Sequence, residues 1–523
     1  MSSLFGIGAG SASTGFYPFE IGQSLRTNVS DAPRLTKTFG SGGNRQKWTF
    51  SFWIKRADLN DSLANYIFNA YSSGSEANFT FLHISNDHRV SAGGYGVNYF
   101  QTNLLARDPT NWYNIVYALD TQQSTASNRF KLYVNGTQIT SFASGTQPTI
   151  NDLAFNDAIQ HTLFANYYNG NYDSHTGGYF ADVNFIDNQQ LDASSFGEFK
   201  SGIWIPIDTA GLNFGTTGFR LEFKGIGTAT SSGAVSSPTN IGDDTSGNNN
   251  HFAVTGVTST DVVPDSPTNT FATLLKLRSG ENASSQTFSE GNLQWTSSTY
   301  NYNSTGSSIN IPTSGKWYFE VFIKTVGSAT SHDFGLGIQG VSGDSMSKTD
   351  PATATYGDST CYVTRRDSGS RIEKNLSTLF IGDTYSYTSD AIVSCAFDAD
   401  SGKVWFARNN VWWNASGGTN GDPSAGTNNT TTLTTGVEYF FTLQQYSSTY
   451  VSVSNFGADS SFAGNKTKQG NSDANGIGDF FYAVPTNYLA LCSSNLPDTT
   501  ISPAQSTQAD DNFKTITYDG DGN

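Results

Sequence analysis

The sequence predicts an all-β protein, and three observations support this prediction. Glycine (53 residues) and aromatic residues (14%) are abundant, while helix formers are scarce, a composition that favours strands and long turns. In residues 48–55 apolar and polar side chains alternate, which is the period of a strand with one buried face. Asn135 and Gly136, between two apolar runs, supply the positive φ angles that a two-residue type I′ hairpin turn requires.

Size and charge restrict the partners. The chain has 523 residues, a formal net charge of -16 and only 14% charged residues. An acidic chain without a basic run is repelled by phosphate backbones and anionic lipid surfaces, so we expect neither nucleic acid nor membranes as partners. No run approaches the roughly 18 to 20 apolar residues that cross a bilayer, and the absence of a basic residue before Arg26 argues against a secretory signal.

The cysteines indicate the redox compartment. Cys361, Cys395 and Cys492 are an odd number in a long chain, unlike the dense cysteines of a small disulfide-stapled secreted domain. We therefore expect reduced, mostly buried thiols and folding in a reducing cytoplasm.

Composition divides the chain into five segments. Two apolar, strand-rich segments long enough for a sandwich alternate with segments dense in Gly, Ser and Asn. The predicted order is an N-terminal arm (1–20), a first sandwich (21–224), a linker or surface loop (225–272), a second sandwich (273–495) and a C-terminal tail (496–523). The arm is either an attachment peptide or a disordered tail. The strand-like run at 511–523 should pair with a neighbour or begin a further domain.

Three segments of the first sandwich carry a family resemblance. They are the apolar strand from Trp112, the hairpin 131–136, and the strand 181–187 followed by Leu191. In this order they resemble the laminin-G-like branch of the concanavalin-A-like jelly rolls. Trp53 interrupts the polar side of its strand, so this strand is expected to be covered on both faces.

The second sandwich also carries a family resemblance. Residues 317–324 alternate like a strand, residues 334–338 follow as a neighbour, and residues 390–410 read as two apolar strands joined by a tight turn. With residues 438–443 and 450–457 they resemble a SPRY domain, which implies a module that binds and does not catalyse. Asp398 and Asp400 are then expected to shape the turn.

The residues give little support for catalysis. Jelly rolls host glycosidases, which need two carboxylates flanking the scissile bond, but no two of the nine glutamates lie within four residues of each other. The aspartate pairs fall in turn sequences. The six histidines show no metal-ligand spacing, and no serine lies in a nucleophile elbow. We expect no enzymatic activity and no required cofactor.

Calcium is the one metal that the loops favour. Hard cations accept Asp, Asn and carbonyl oxygens from loops, and laminin-G-like domains sometimes carry such a site at the sandwich rim. The alternative is a set of hydrogen-bonded turns. The candidate ligands are Asp187, Asp243, Asp244 and Asn248.

Aromatic loops favour carbohydrate binding. Sugar rings stack on Tyr and Trp faces while Asn and Asp side chains bond the hydroxyls, and binding loops ride on rigid sandwiches. Burial in the core is the alternative for each aromatic residue, except that the neighbours of 167–172 are too polar for a core. The candidates are Tyr71, Tyr95, Tyr99, Tyr167, Tyr168, Asn169, Tyr172, Trp412, Trp413 and Tyr446.

The two sandwiches together, after the lead at 16–20 and with the linker sequence 243–248, resemble structural proteins of tailed bacteriophages, especially marine ones. The resemblance implies a virion appendage, a tail fibre or receptor-binding protein that recognises host surface glycans without catalysis, exposed on the tail or capsid. Its partners would be other virion proteins and the host glycan, in a homo-oligomer for which a trimer is favoured. The alternatives are a purely structural capsid decoration or head fibre, and a polysaccharide depolymerase.

Overall fold

The chain forms two tandem β-sandwiches. A computed structural model describes residues 16–497 except 58, 60–61, 150–151, 236, 280–285, 298–302, 327–333, 341–361, 366–370, 375–376, 382–387 and 446–449. Within these residues each sandwich consists of two antiparallel sheets, and the helices are three-residue 3₁₀ turns. The predicted all-β fold is confirmed. The 3₁₀ turns are Val29–Asp31, Glu76–Asn78, Ala126–Asn128, Ala193–Ser195, Ser259–Asp261, Lys276–Arg278 and Ser493–Asn495.

The first sandwich contains twenty of the described strands. One sheet has the order β10-β9-β8-β3-β15-β1-β20, with β18 added to β15, and the other has the order β11-β7-β6-β5-β4-β12-β2-β19. The hairpins β13-β14 and β16-β17 lie outside both sheets. The strands are β1 (Ser24–Thr27), β2 (Arg34–Thr38), β3 (Lys47–Arg56), β4 (Asn65–Tyr71), β5 (Phe79–Ile84), β6 (Arg89–Gly94), β7 (Val97–Leu105), β8 (Trp112–Asp120), β9 (Phe130–Val134), β10 (Thr137–Ile139), β11 (Phe142–Ser144), β12 (Gln160–Leu163), β13 (Asn166–Tyr168), β14 (Asn171–Asp173), β15 (Gly178–Asp187), β16 (Gly197–Lys200), β17 (Ile203–Pro206), β18 (Phe219–Leu221), β19 (Ala253–Thr255) and β20 (Val262–Val263).

Aromatic side chains dominate the core between these sheets. Phe68 of β4 stacks on Phe155 with ring centroids 4.5 Å apart, and Trp48 of β3 meets the edge of the same ring at 5.2 Å. The predicted turn at Asn135 and Gly136 is confirmed, since both residues have positive φ and join β9 to β10.

Both faces of β3 are covered, as its sequence predicted. Trp53 points away from the core but is only 4% exposed. It packs in a second cluster with Ile21 and Tyr179. The outer face of this sheet is therefore closed by the chain itself.

Residues 225–263 belong to the first sandwich, which corrects their assignment as a linker and favours the surface-loop interpretation, whereas Phe271 and Ala272 pack with the second sandwich. Ile241, Phe252 and Val257 are buried in the first core. Strand β19 pairs with β2 and β20 pairs with β1. These three core residues stand among polar turn residues, so the average composition of the segment is that of a linker. The boundary that composition places at 224 is therefore too early in the chain.

The second sandwich contains fifteen described strands. One sheet has the order β21-β24-β34-β26-β27-β28-β29, and the other has the order β22-β23-β35-β25-β30-β31-β32, with β33 added to β31. The strands are β21 (Leu274–Leu275), β22 (Gln286–Ser289), β23 (Gln294–Ser297), β24 (Asn303–Ser307), β25 (Lys316–Thr325), β26 (Phe334–Gly340), β27 (Tyr362–Arg365), β28 (Arg371–Lys374), β29 (Ser377–Ile381), β30 (Ile392–Asp398), β31 (Lys403–Arg408), β32 (Val411–Trp412), β33 (Thr431–Thr432), β34 (Tyr439–Gln445) and β35 (Tyr450–Asn455).

The hairpin β30-β31 is a structural element. Asp398 accepts hydrogen bonds from the backbone N–H groups of Asp400 and Ser401, and Asp400 accepts one from Gly315. Both aspartates therefore organise turns, as predicted. Cys395 of β30 is a buried free thiol, as is Cys492, whereas Cys361 lies outside the described residues.

A buried carboxylate fastens the last described segment to the second sandwich. Glu320 of β25 is fully buried and accepts hydrogen bonds from the Phe481 and Tyr482 N–H groups at 2.9 and 2.8 Å. The Tyr318 hydroxyl also donates to it. Burial raises the pKa of Glu320 to about 7.

A buried ion cluster joins the two sandwiches. Arg26 of β1 is fully buried and pairs with Asp459 of the second sandwich at 2.8 Å and with Asp261 at 3.2 Å. Glu290 lies 3.9 Å from its Nε atom. The Tyr179 hydroxyl donates across the same interface to the Gly291 carbonyl. These contacts hold the sandwiches in one arrangement.

The predicted terminal segments lie mostly outside the described residues. Of the arm, Phe16 is buried and its carbonyl accepts a hydrogen bond from Lys200, whereas 1–15 and the tail from 498 are not described. Within the described residues, no helix has the length and apolar character needed to cross a bilayer.

Candidate functional site

The hairpin β13-β14 lies on the outer face of the second sheet of the first sandwich. Its turn residues Asn169 and Gly170 both have positive φ. Asn69 of β4 ties the hairpin down, because its amide donates to the Asn166 side chain and to the Tyr167 carbonyl at 3.2 and 2.9 Å. Its oxygen accepts from the Tyr167 N–H. The predicted loop 167–172 is thus a fixed hairpin.

Aromatic rings pack between this hairpin and the sheet. Tyr168 lies 4.8 Å from Tyr71 and 5.5 Å from Phe79, measured between ring centroids. Tyr167 lies 4.9 Å from Tyr172, across the hairpin. The Tyr172 hydroxyl accepts a hydrogen bond from Gln160 at 2.8 Å, and the Arg34 guanidinium lies 4.4 Å from the Tyr172 ring. The hairpin therefore presents Tyr168 in a supported position.

Three loops bring exposed tyrosines to one end of the sheet. Tyr168 is 38% exposed and Tyr95, in the turn between β6 and β7, is 48% exposed. The Tyr95 ring lies over Gly74 in the loop between β4 and β5, where an added Cβ would meet it at 3.2 Å. We call Tyr71, Tyr95, Tyr168 and Asn169 the tyrosine surface. Its half-exposed rings can stack on sugar rings, and its neighbouring amides can form hydrogen bonds with the sugar hydroxyls.

The structure corrects two of the carbohydrate-binding candidates, Tyr99 and Trp413, which are buried. Tyr99 is 1% exposed, because a register shift in the pairing of β6 with β7 turns both Tyr99 and Phe100 into the core. Trp413 is also 1% exposed and packs in the second core. Trp412 is half-buried, 6.2 Å from the Tyr318 ring. Tyr446 lies outside the described residues.

Asp187, the first calcium candidate, lies where three loops meet. Its Oδ1 atom accepts hydrogen bonds from the Asn44 N–H and the Asn156 amide at 2.8 and 2.9 Å, and its Oδ2 atom accepts one from the Thr216 N–H at 3.0 Å. Donors already occupy both oxygens, so the carboxylate organises three loops.

The other three calcium candidates are also turn residues. Asp243 accepts from the Thr239 and Asn240 N–H groups, and Asp244 accepts from the Arg220, Ser246 and Asn250 N–H groups. Asn248 donates to the Gly218 carbonyl. Within the described residues, no three His, Cys, Asp or Glu side chains are grouped so as to hold a metal ion. In this structure the four residues act as hydrogen-bonding residues of turns.

A groove of about 580 Å³ between the two sandwiches was not predicted. Asp31, Asp261, Glu290, Lys324 and Thr258 are among the residues that line it. The Asn28 amide donates to Asp31 at 3.1 Å and to Glu290 at 2.7 Å, which holds these two carboxylates close together. Burial raises the pKa of Glu290 to about 7 despite Arg26. Asp31, Asp261, Glu290 and Lys324 are 29 to 293 residues apart in sequence, so no local motif marks the groove.

Comparison with known proteins identifies one domain. Residues 32–193 match the Laminin_G_3 family, described as the Concanavalin A-like lectin/glucanases superfamily. The match runs from β2 to β15 and includes the whole tyrosine surface. The first sandwich is therefore a concanavalin A-like domain of the laminin G type. No curated protein matches the chain.

Several solved structures are similar to parts of the chain. A native SAP-like pentraxin from Limulus polyphemus has 13% identity and a TM-score of 0.26, over 33% of this chain and 79% of its own. The SPRY domain of human HERC1 has 13% identity and a TM-score of 0.24, over 35% and 96%. The Ruminococcus gnavus IT-sialidase CBM40 has 12% identity and a TM-score of 0.23, over 34% and 96%.

Proposed function

We propose that this chain is a structural protein of a tailed-bacteriophage virion, a tail fibre or receptor-binding appendage that binds host surface glycans without catalysis. The glycan part rests on the tyrosine surface, where Tyr71 and Tyr168 are in contact and Tyr95 lies over Gly74 at the same end of a rigid sheet. The family match of the same domain to a superfamily that includes lectins agrees with it.

The tyrosine surface is organised before any ligand arrives. Asn69 fixes the backbone of the hairpin and Gln160 fixes the Tyr172 hydroxyl. Rings held in place lose little conformational entropy when a ligand stacks on them, which favours affinity. A glycan array of host-derived polysaccharides tests this part, and we expect binding by the intact protein. Failure to bind any host polysaccharide would remove the glycan part.

The virion part rests on the family resemblance of the two sandwiches, the lead at 16–20 and residues 243–248. The buried Arg26 cluster supports it, because an appendage must transmit load between its domains and this interface joins them rigidly. Electron microscopy of labelled protein on intact particles should place it at the tail in several copies. A location on the head without glycan binding would favour the capsid-decoration role.

Hydrolysis of host polysaccharide is the second candidate, and the inter-domain groove favours it. Glycosidases pair a carboxylic acid of raised pKa with an ionised carboxylate across the substrate. Glu290, with a pKa of about 7, and Asp31 share the Asn28 amide on the wall of the groove. Reducing-end assays on host exopolysaccharide test this role. Product formation that Glu290→Gln abolishes would support it, and no product would leave binding alone.

A further inference from the structure

The loops that carry the tyrosine surface contain no cationic side chain. Residues 72–78, 94–97 and 169–171 include no Lys or Arg and one acidic residue, Glu76. Asp173, at the end of β14, is exposed and accepts a hydrogen bond from Asn166 at 3.0 Å. The remaining polar groups of these loops are amides and hydroxyls, which are uncharged. An approaching ligand therefore meets a neutral to negative surface.

Two arginines lie beside the elements that carry this surface. The Arg34 guanidinium lies over the Tyr172 ring at 4.4 Å and donates to the Ala32 carbonyl at 3.2 Å. Arg45 reaches the loop between β4 and β5 by donating to the Ala77 carbonyl, and its charge is paired with Asp157 at 3.0 Å.

The histidine below the aromatic rings adds no positive charge. His83 lies 4.9 Å from the Phe81 ring and 5.1 Å from the Tyr66 ring. Burial lowers the pKa of His83 to about 4, so the imidazole is neutral at pH 7. In the described part of the chain, the loops of the tyrosine surface thus supply no cation of their own. The Arg34 charge lies at the Tyr172 ring, outside the four residues of this surface.

We propose that the tyrosine surface selects uncharged glycans, binding neutral hexose polymers and rejecting polymers that carry carboxylate, sulfate or phosphate groups. This inference rests on the proposed glycan binding. A neutral pyranose needs only a ring face and hydrogen-bond partners, which the tyrosines and amides supply. An anionic sugar would lose hydration beside Asp173 without gaining a charge-assisted hydrogen bond.

Matched polymers that differ only in charge test the selection. We would immobilise dextran and carboxymethyl dextran, lactose and sialyllactose, and neutral and acidic host polysaccharides, and measure binding of the intact chain at low and high salt. We expect at least fivefold tighter binding of the neutral member, with a gap that narrows at high salt because salt screens the repulsion. Equal or tighter binding of the anionic members would overturn the inference and leave glycan binding standing. Binding of neither class would instead refute the proposed function.

A charge added to the surface gives a second, independent readout. Asn171→Lys places a cation beside the tyrosine surface at an exposed position, and Gln138→Lys adds the same charge on the exposed edge strand β10 of the opposite sheet. We expect Asn171→Lys, but not Gln138→Lys, to strengthen binding of the anionic polymers by about two- to fivefold, as for an exposed ion pair. Equal effects of the two variants would contradict a local origin of the selection.

Discussion

Replacing Arg26 should uncouple the two sandwiches. Arg26→Met keeps much of the side-chain volume but removes the cation that faces Asp459, Asp261 and Glu290. Asp459 is fully buried. Although burial by itself raises the pKa of Asp459, Arg26 and the Ser461 hydroxyl hold it below its ordinary value. Removing one partner of a buried ion pair leaves an uncompensated charge and costs about 3–5 kcal/mol.

Two measurements detect the loss of stability and of domain coupling in Arg26→Met. Denaturant titration at pH 7 should give a free energy of unfolding lower by about 3–5 kcal/mol in Arg26→Met. The loss should shrink as the pH falls, because protonation of Asp459 then removes the uncompensated charge. Calorimetry should show the single transition of a coupled pair of domains separating into two.

Lys466→Met is the matched control. Lys466 pairs with Asp390 at 2.6 Å, but the Asp390 side chain is 76% exposed, so this pair should contribute no more than about 1 kcal/mol. A loss in Arg26→Met no larger than that in Lys466→Met, with one unchanged transition, would refute the account of the interface.

Two further predictions concern stability. Burial raises the pKa of Glu320 from 4.5 to about 7, so the free energy of unfolding of the wild type should fall by about 3 kcal/mol as the pH rises from about 4.5 to 7. Glu320→Gln should lack this part of the pH dependence. The same change of unfolding free energy with pH in both proteins, measured by denaturant titration, would disprove it. Gly136→Ala and Gly170→Ala both force an alanine into the left-handed region, which costs about 1–2 kcal/mol of stability. Only the added Cβ at position 136 meets the Trp204 ring. Thermal melts should therefore show Gly136→Ala to be less stable than Gly170→Ala by a further 1–3 kcal/mol or so.

Local rules predicted the fold well where one signal decides the structure. Asn135 and Gly136 form the expected turn because positive φ at two successive residues is a backbone requirement. The same signal at Asn169 and Gly170 predicts the hairpin β13-β14, which the polar composition of 167–172 concealed. Tyr99 was expected at the surface because it flanks a Gly-rich turn, but a bulge in the pairing of β6 with β7 turns it into the core.

Long-range contacts account for the rest of what the sequence did not reveal. Phe252 lies among polar turn formers, yet it fills the first core against Phe219 at 4.7 Å. Asp243 and Asp244 resemble cation ligands in sequence, but Asp243 accepts from N–H groups of its own turn and Asp244 accepts from the Arg220 N–H of β18. The groove around Glu290 joins segments from both sandwiches, so it exists only after they dock.

Glycan recognition by the tyrosine surface is tested by measuring the affinity of its variants for the host polysaccharide. Tyr168→Ala removes an exposed ring that stands on Tyr71 and Phe79, and Phe199→Ala removes one that is 57% exposed on the separate hairpin β16-β17. We expect Tyr168→Ala to weaken binding by more than about fivefold, which corresponds to at least about 1 kcal/mol, with an unchanged melting temperature and with Phe199→Ala equal to the wild type. Undiminished binding by Tyr168→Ala would contradict the assignment of glycan recognition to this surface.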